Sequence, residues 1–159
     1  MSRLGYPRAM RLADGSDAME SLLQAPSPAV ITVYGPDGAA IVSPVWFRVH
    51  DGWFEVVMAL TDRKLAHLQR DPRCVLLVFE AVRPFRGVQV RGTATLTPDD
   101  GARTRLAIAS RYLGADDGRA YADLGRRPPG MVVRLPLDGA RAWDLSAAIG
   151  PLELPSRTR

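Results

Sequence analysis

The chain has 159 residues, 47% hydrophobic and 24% charged, a balance that supports one globular domain and argues against extended disorder. Its formal charge is +4 and its pI about 9.8, without the dense Lys/Arg block of a nucleic-acid footprint. No apolar run approaches the roughly 20 residues needed to span a bilayer.

The single cysteine, Cys74, excludes an internal disulfide and fits a reducing compartment. The opening segment MSRLGYPRAMRLADG lacks the apolar stretch of a secretory signal, so the expected location is the cytoplasm. Arginine supplies all the positive charge except for one lysine, Lys64, and asparagine is absent, a bias typical of GC-rich coding. The mild excess of charge has two readings: a solvated arginine-rich surface, or a groove for a small polyanionic ligand.

The segment DAMESLLQ, residues 17–24, reads as a short amphipathic helix opened by Asp17 and stopped by Pro26 and Pro28. AVITVYG is a β-branched strand ended by the turn Pro36-Asp37-Gly38. AAIVSPVWFRVH reads as one further strand, and Asp51-Gly52 as a hairpin turn into WFEVVM. Residues 29–58 therefore predict three consecutive antiparallel strands. Pro44 cannot donate to a ladder and marks an edge or a bulge.

DRKLAHLQR is helical, with Asp62 as N-cap and Leu65 and Leu68 on one face. RCVLLVFEAV reads as a buried strand. FRGVQVRGTATLT alternates over a long span, with Gly87 and Gly92 as bend points. PDDGARTRLAIASRYLG predicts a helix with Pro98 near its start, Gly114 at its stop, and an apolar face of Leu106, Ala109 and Leu113. RAYADL adds a helical turn. MVVRLPL and ARAWDLS read as a closing hairpin around Asp138-Gly139. The total is about seven strands, mostly antiparallel, with two or three helices, the pattern of a barrel or sandwich. Residues 1–16 read as an N-terminal extension, 17–146 as the domain and 147–159 as a flexible tail.

The common catalytic constellations are missing: no GxSxG, Walker or GxGxxG motif is present. Two histidines, His50 and His67, and one cysteine do not build a common zinc site, so no metal is expected. The carboxylate pairs Asp99-Asp100 and Asp116-Asp117 stand at helix starts, where capping accounts for them. No catalytic side chain is nominated, and an enzyme built this way relies on a bound cofactor. In the other direction, a strand EVVMA runs into a helix whose first turn holds Thr61, Asp62, Arg63 and Lys64. That arrangement is either an anion site at a helix N-terminus or a solvated helix start with incidental charges.

The order IVSPVWFRVHDGWFEVV, then DRKLAHLQRDPRCVLLV, then PFRGVQVRGTATL resembles the pyridoxamine-phosphate-oxidase-like split-barrel family, and within it the flavin and deazaflavin (coenzyme F-420) oxidoreductase branch. The resemblance covers roughly residues 20–145 and implies a mainly β fold, a six-stranded antiparallel split β-barrel that forms homodimers with FMN or F-420 at the interface. By position, Arg63 and Lys64 match the pair that holds the cofactor phosphate. Ser43, Pro44, Val45 and Trp46 match the strand lining the ring. Val57, Met58, Ala59, Leu60 and Thr61 match the strand and loop leading to the phosphate. His67 falls toward the cofactor tail, Gln89 is a polar contact from the strand Gly87 to Arg91, and Trp143 lies on the C-terminal strand that can reach a partner's cofactor.

The chain also departs from the pyridoxamine-phosphate oxidases proper. Ser43 stands where those enzymes carry an arginine, Val57-Met58 replace an aromatic-threonine pair, and RAWDLS only faintly echoes their C-terminal signature. The expected activity is hydride transfer from F-420 to a small conjugated acceptor. The alternatives are an FMN-dependent flavoprotein, and a non-catalytic protein that binds a flavin or haem. The expected partners are a second copy of the chain and a small-molecule acceptor, with no nucleic acid and no membrane.

Overall fold

In the computed structural model, the described residues are 10–11, 17–123 and 125–146. They form ten strands and four helices, in the order β1 (Met10–Arg11), α1 (Asp17–Gln24), β2 (Ala29–Tyr34), β3 (Ala40–Val45), β4 (Arg48–His50), β5 (Trp53–Ala59), α2 (Arg63–Arg70), β6 (Arg73–Phe79), β7 (Gly87–Thr93), β8 (Thr95–Pro98), α3 (Arg103–Leu113), α4 (Ala115–Ala122), β9 (Gly130–Pro136) and β10 (Arg141–Trp143). A 3-10 turn at Asp100–Ala102 leads into α3. Every ladder is antiparallel. The strands lie in two sheets, one ordered β1-β10-β7-β6-β2-β3 and the other β4-β5-β9-β8.

The mainly β antiparallel class follows the sequence, but the strand count does not. Three runs that read as continuous elements are each divided between the two sheets. AAIVSPVWFRVH breaks after Val45 into β3 and β4, with Trp46 and Phe47 at the crossing. FRGVQVRGTATLT breaks at buried Ala94, whose N–H leaves the sheet pattern to donate to the Pro72 carbonyl at 2.7 Å. The expected closing hairpin is not one. β9 pairs with β5 and β8, whereas β10 pairs with β1 and β7, after a turn in which Ala140 N–H donates to the Leu137 carbonyl. Alternating polarity continues across these breaks because each piece still has one face on the shared core.

That core lies between the sheets. Phe47, Phe54, Ile31, Leu76, Val88 and Leu135 are fully buried in it, and the Phe47 and Phe54 rings meet at 5.3 Å. α2 covers one end with Leu65 and Leu68, the face read from the sequence. Burying two such side chains contributes about 1.5–3 kcal/mol each. The β4–β5 turn is tight, with Asp51 and Gly52 both in the left-handed region at φ 49° and 78°, the geometry that favours an Asp-Gly pair. Pro44 sits opposite Val30 on β3, which is the edge of its sheet.

Gly87 shows a close approach that no side chain would survive, since a Cβ there would stand 2.0 Å from the Trp143 ring. Trp143 thus packs down on its sheet neighbour β7. Within the segment read as an N-terminal extension, Met10 and Arg11 form β1 at the sheet edge. The rest of that extension and the 147–159 tail lie outside the described residues.

One carboxylate is locked into the smaller sheet. Glu55 is 1% exposed and takes Arg48 Nε at 2.6 Å and Arg134 Nε at 2.7 Å from the strands on either side. Burial alone would raise its pKa, but the hydrogen bonds from Arg48 and Arg134 outweigh burial and hold it below the ordinary glutamate range. A lowered folded pKa gives stability that is present above the unfolded value and lost as pH falls through the folded one. Glu55→Gln is therefore expected to cost about 3 kcal/mol of unfolding free energy at neutral pH. Urea melts should show the gap to wild type narrowing below roughly pH 4.3, the ordinary glutamate pKa. A gap independent of pH would contradict the ion-pair account.

Candidate functional site

The end of β5 and the start of α2 form one wall of a cavity of about 530 Å³. The chain turns sharply there, with Asp62 N–H on the Ala59 carbonyl at 2.9 Å. Asp62 then caps α2: its Oδ1 accepts from Lys64 N–H at 2.9 Å and its Oδ2 meets Lys64 Nζ at 2.9 Å. The cap holds Lys64 at the cavity wall, with its side chain 22% exposed. An ammonium has three donors, so the Asp62 contact leaves two for a ligand.

The facing wall comes from α3, α4 and the loop after them. Gly114, at φ 86°, turns the chain between the two helices. A Cβ on Gly118 would stand 2.5 Å from Ser110 Oγ, so the pair packs backbone to backbone. Arg105, in the first turn of α3, is 7% exposed and lines the cavity. Its backbone N–H donates to Asp99 Oδ2 at 3.0 Å and its Nη2 to the Pro128 carbonyl at 2.9 Å, while Nη1 is buried without a partner.

Trp46 closes the cavity from the sheet crossing. It stacks on Tyr112 at 4.9 Å with planes 7° apart and tilts against Tyr121 at 5.3 Å. Arg127 lies 3.8 Å above the Tyr121 ring, a cation–π contact. Tyr112 donates its O–H to the Ser27 carbonyl at 2.9 Å and accepts from Phe47 N–H at 3.3 Å. Burial holds its phenol above the ordinary range, so it remains a donor.

Of the residues expected at a cofactor site, Pro44, Val45, Trp46, Val57, Met58, Ala59 and Lys64 line this cavity. Ser43, Leu60, Thr61, Arg63, His67 and Gln89 do not. Ser43 lies opposite Ile31 with its Oγ buried and unpartnered. Leu60 is 52% exposed in the turn before α2, and Thr61 and Arg63 are exposed. His67 is half-buried on α2, and Gln89 on β7 accepts from Arg91 Nε. The Arg63-Lys64 pair thus divides, one side chain at the cavity and one in solvent.

Sequence reasoning missed Arg105 because it put the apolar face of α3 on Leu106 and Leu113; Tyr121 on α4 and Arg127 in the loop after it carried no periodic signal that pointed to the cavity. Leu106 and Leu113 are 37% and 38% exposed, whereas Thr104, Arg105, Ile108 and Ala109 are buried. Hydropathy cannot find a helix face whose key member is an arginine. Cys74 is no candidate nucleophile, since burial pushes its thiol up to about 12. Among the described residues no group of three or more His, Cys, Asp or Glu could hold a metal, and no helix is long and apolar enough to cross a membrane.

The sequence model of the family described as pyridoxamine 5'-phosphate oxidase matches residues 16–144. This chain belongs to that family. Its fold matches a conserved hypothetical protein of Mycobacterium tuberculosis with a TM-score of 0.72, at 22% identity over 91% of this chain and 94% of that one. It also matches an F420 reductase with a TM-score of 0.59, at 23% identity over 74% of this chain and 91% of that one. A curated relative, 1D-myo-inositol 2-acetamido-2-deoxy-alpha-D-glucopyranoside deacetylase 1 of Saccharopolyspora erythraea, is 27% identical over 160 residues. That alignment takes in 94% of this chain and 48% of the relative, so the chain spans about half its length.

The fit between the walls has a sensitive point at Gly130. A Cβ there would lie 2.8 Å from both Arg105 Nη2 and Val57 Cγ1, and 3.1 Å from the Met58 carbonyl oxygen. Gly130→Ala should cost about 1–3 kcal/mol as the wall is forced apart, read as a shifted denaturation midpoint. An unchanged midpoint would mean that the walls are free to separate.

Proposed function

We propose that this chain is an oxidoreductase that binds a flavin or deazaflavin in the cavity, with coenzyme F-420 as the preferred cofactor and a small conjugated molecule as hydride acceptor. The observation that carries this reading is the make-up of the cavity. Cations Lys64, Arg105 and Arg127 share it with one carboxylate, Asp62, beside apolar Val45, Val57 and Met58 and the Trp46–Tyr121 pair. Three positive groups against one negative leave a net charge of +2, suited to an anionic ligand with a flat ring. F-420 carries a phosphate and an oligoglutamate tail, so it matches more than one of these cations. Buried, unpartnered Nη1 of Arg105 is a further sign that the residues present fit an anionic group.

On this reading Lys64 holds the phosphate with the donors left free by Asp62. Trp46, Pro44 and Val45 face the ring, while Met58 and Ala59 form the floor that keeps water from it. When bound, the cofactor supplies the hydride. The protein contributes orientation and exclusion of water, and holding two reactants in place lowers a barrier by up to about 7–11 kcal/mol. Among the described residues Asp62 is the only carboxylate lining the cavity, and it is bound to Lys64, so none of these is free to act as acid or base. Neither histidine lines the cavity, so the haem alternative gains nothing from it.

Fluorescence titration of the apo protein with F-420 and with FMN tests the assignment. Tighter binding of F-420 is expected; the reverse preference makes the protein an FMN flavoprotein, and binding of neither removes the proposal. Lys64→Ala should weaken cofactor binding by about 1.5–3 kcal/mol, the range for a hydrogen bond to a charged group.

We infer that the working unit is a homodimer. Val42, Leu60, Phe79 and Val82 are 60%, 52%, 45% and 66% exposed, and a second copy that covers them would remove this apolar surface from water. Light scattering at micromolar concentration should report a dimer, and a monomer would count against a shared site.

A further inference from the structure

Arg105 differs from the other buried or paired arginines in lining the cavity with an unpartnered Nη1. Arg48, Arg73, Arg86, Arg119, Arg126 and Arg134 each face a carboxylate. Arg111 is half-buried without one; its two Nη groups are taken up by the carbonyls of Phe47, Leu23 and Ala25, and its Nε is buried without a partner, but Arg111 does not line the cavity. Arg105 has a single carbonyl, that of Pro128, and Nη1 has nothing. A buried donor left unmade costs about 1–3 kcal/mol, more when charged. The carboxylate nearest in sequence among the described side chains is already engaged: Asp99 accepts from Thr104 N–H on Oδ1 and from Arg105 N–H on Oδ2. Gly130 leaves the guanidinium the room it occupies.

We propose that Arg105 is an oxyanion-binding residue of the cavity, taking a phosphate or carboxylate group of the ligand from the α3 wall while Lys64 acts from the α2 wall. This rests on the cavity being the ligand site. A guanidinium fixed through Nη2 is already oriented, and its planar fork matches an oxyanion in two-point fashion. Two cations on separate elements favour a ligand with two separated anionic groups, or a cofactor and an acceptor that are both anionic. The oxyanion is therefore either the cofactor's own or the acceptor's.

Inorganic pyrophosphate is the probe, titrated by calorimetry into the apo protein as wild type, R105Q and R103Q. Arg103 is exposed at the same helix start, so R103Q removes equal charge without touching the cavity. The wild type and R103Q should bind alike, and R105Q should bind about tenfold to 100-fold more weakly, the scale of one charged hydrogen bond. Equal binding by R105Q, or no binding by wild type, overturns the proposal. If R105Q does not fold, the Arg105 guanidinium resonance of arginine-labelled wild type must shift with pyrophosphate, and an unmoved signal overturns it equally.

FMN and riboflavin then identify the source. A collapse of their affinity ratio in R105Q assigns the oxyanion to the cofactor, and an unchanged ratio beside lost pyrophosphate binding assigns it to the acceptor. Wild type that binds pyrophosphate but neither FMN nor F-420 would sink the cofactor reading and leave the oxyanion site standing.

Discussion

Three parts of the molecule meet at one residue, Phe47. Its ring enters the core between the sheets, its N–H goes to the Tyr112 hydroxyl and its carbonyl accepts from Arg111 Nη1 at 3.0 Å. The Arg111 guanidinium lies 4.5 Å above the same ring and also gathers the carbonyls of Leu23 and Ala25 at the end of α1. A cation at a helix C-terminus is favourable both as a donor to orphan carbonyls and against the helix dipole. Burial lowers the Arg111 pKa, yet a guanidinium stays charged over the whole working range. The crossing between the sheets, the end of α1 and the α3–α4 pair are therefore held by one set of bonds.

The cavity follows from that clamp. Adjacent residues at a crossing point in different directions, so with Phe47 committed to the core, Trp46 faces the other way, onto Tyr112 and Tyr121. The α3–α4 pair is thereby fixed opposite β5, and the gap between them is the site. Its walls belong to different layers. The β5–α2 wall sits on the core between the sheets through Leu65 and Leu68, whereas the α3–α4 wall is tied to the β3–β4 crossing. The cations divide in the same way, Lys64 on the first wall and Arg105 and Arg127 with the second, so a multiply charged ligand would bridge the two.

Local features were legible where a short-range rule acts alone. The Asp62 cap, the Asp51-Gly52 hairpin, the edge position of Pro44, the α1 boundaries and the Leu65/Leu68 face all follow from neighbours within a few residues. The resemblance to the split-barrel family, resting on the block from Ile41 to Leu96, led to the family that the comparison supports, and seven of the residues it pointed to line the cavity. Failures came where a strand changes sheet, since polarity alternates on both sides of Trp46, Ala94 and Asp138 and nothing in that pattern shows which neighbour each piece will pair with. α3 failed for a related reason: its buried face follows Arg105, Ile108 and Ala109 rather than its leucines.

The sequence by itself determined the antiparallel β class, the turns, the α2 cap and the lysine it presents, because these depend on spacing and local hydrogen bonding. The tertiary structure alone decided which strands share a sheet and that Arg105 is buried beside the cavity. It also decided that Arg63, next to Lys64 in sequence, points to solvent. Those outcomes depend on contacts between residues as far apart as Phe47 and Arg111, or Glu55 and Arg134. No local pattern encodes the free energy of such pairs, which exist only after the two sheets and the helix pair have closed on one another.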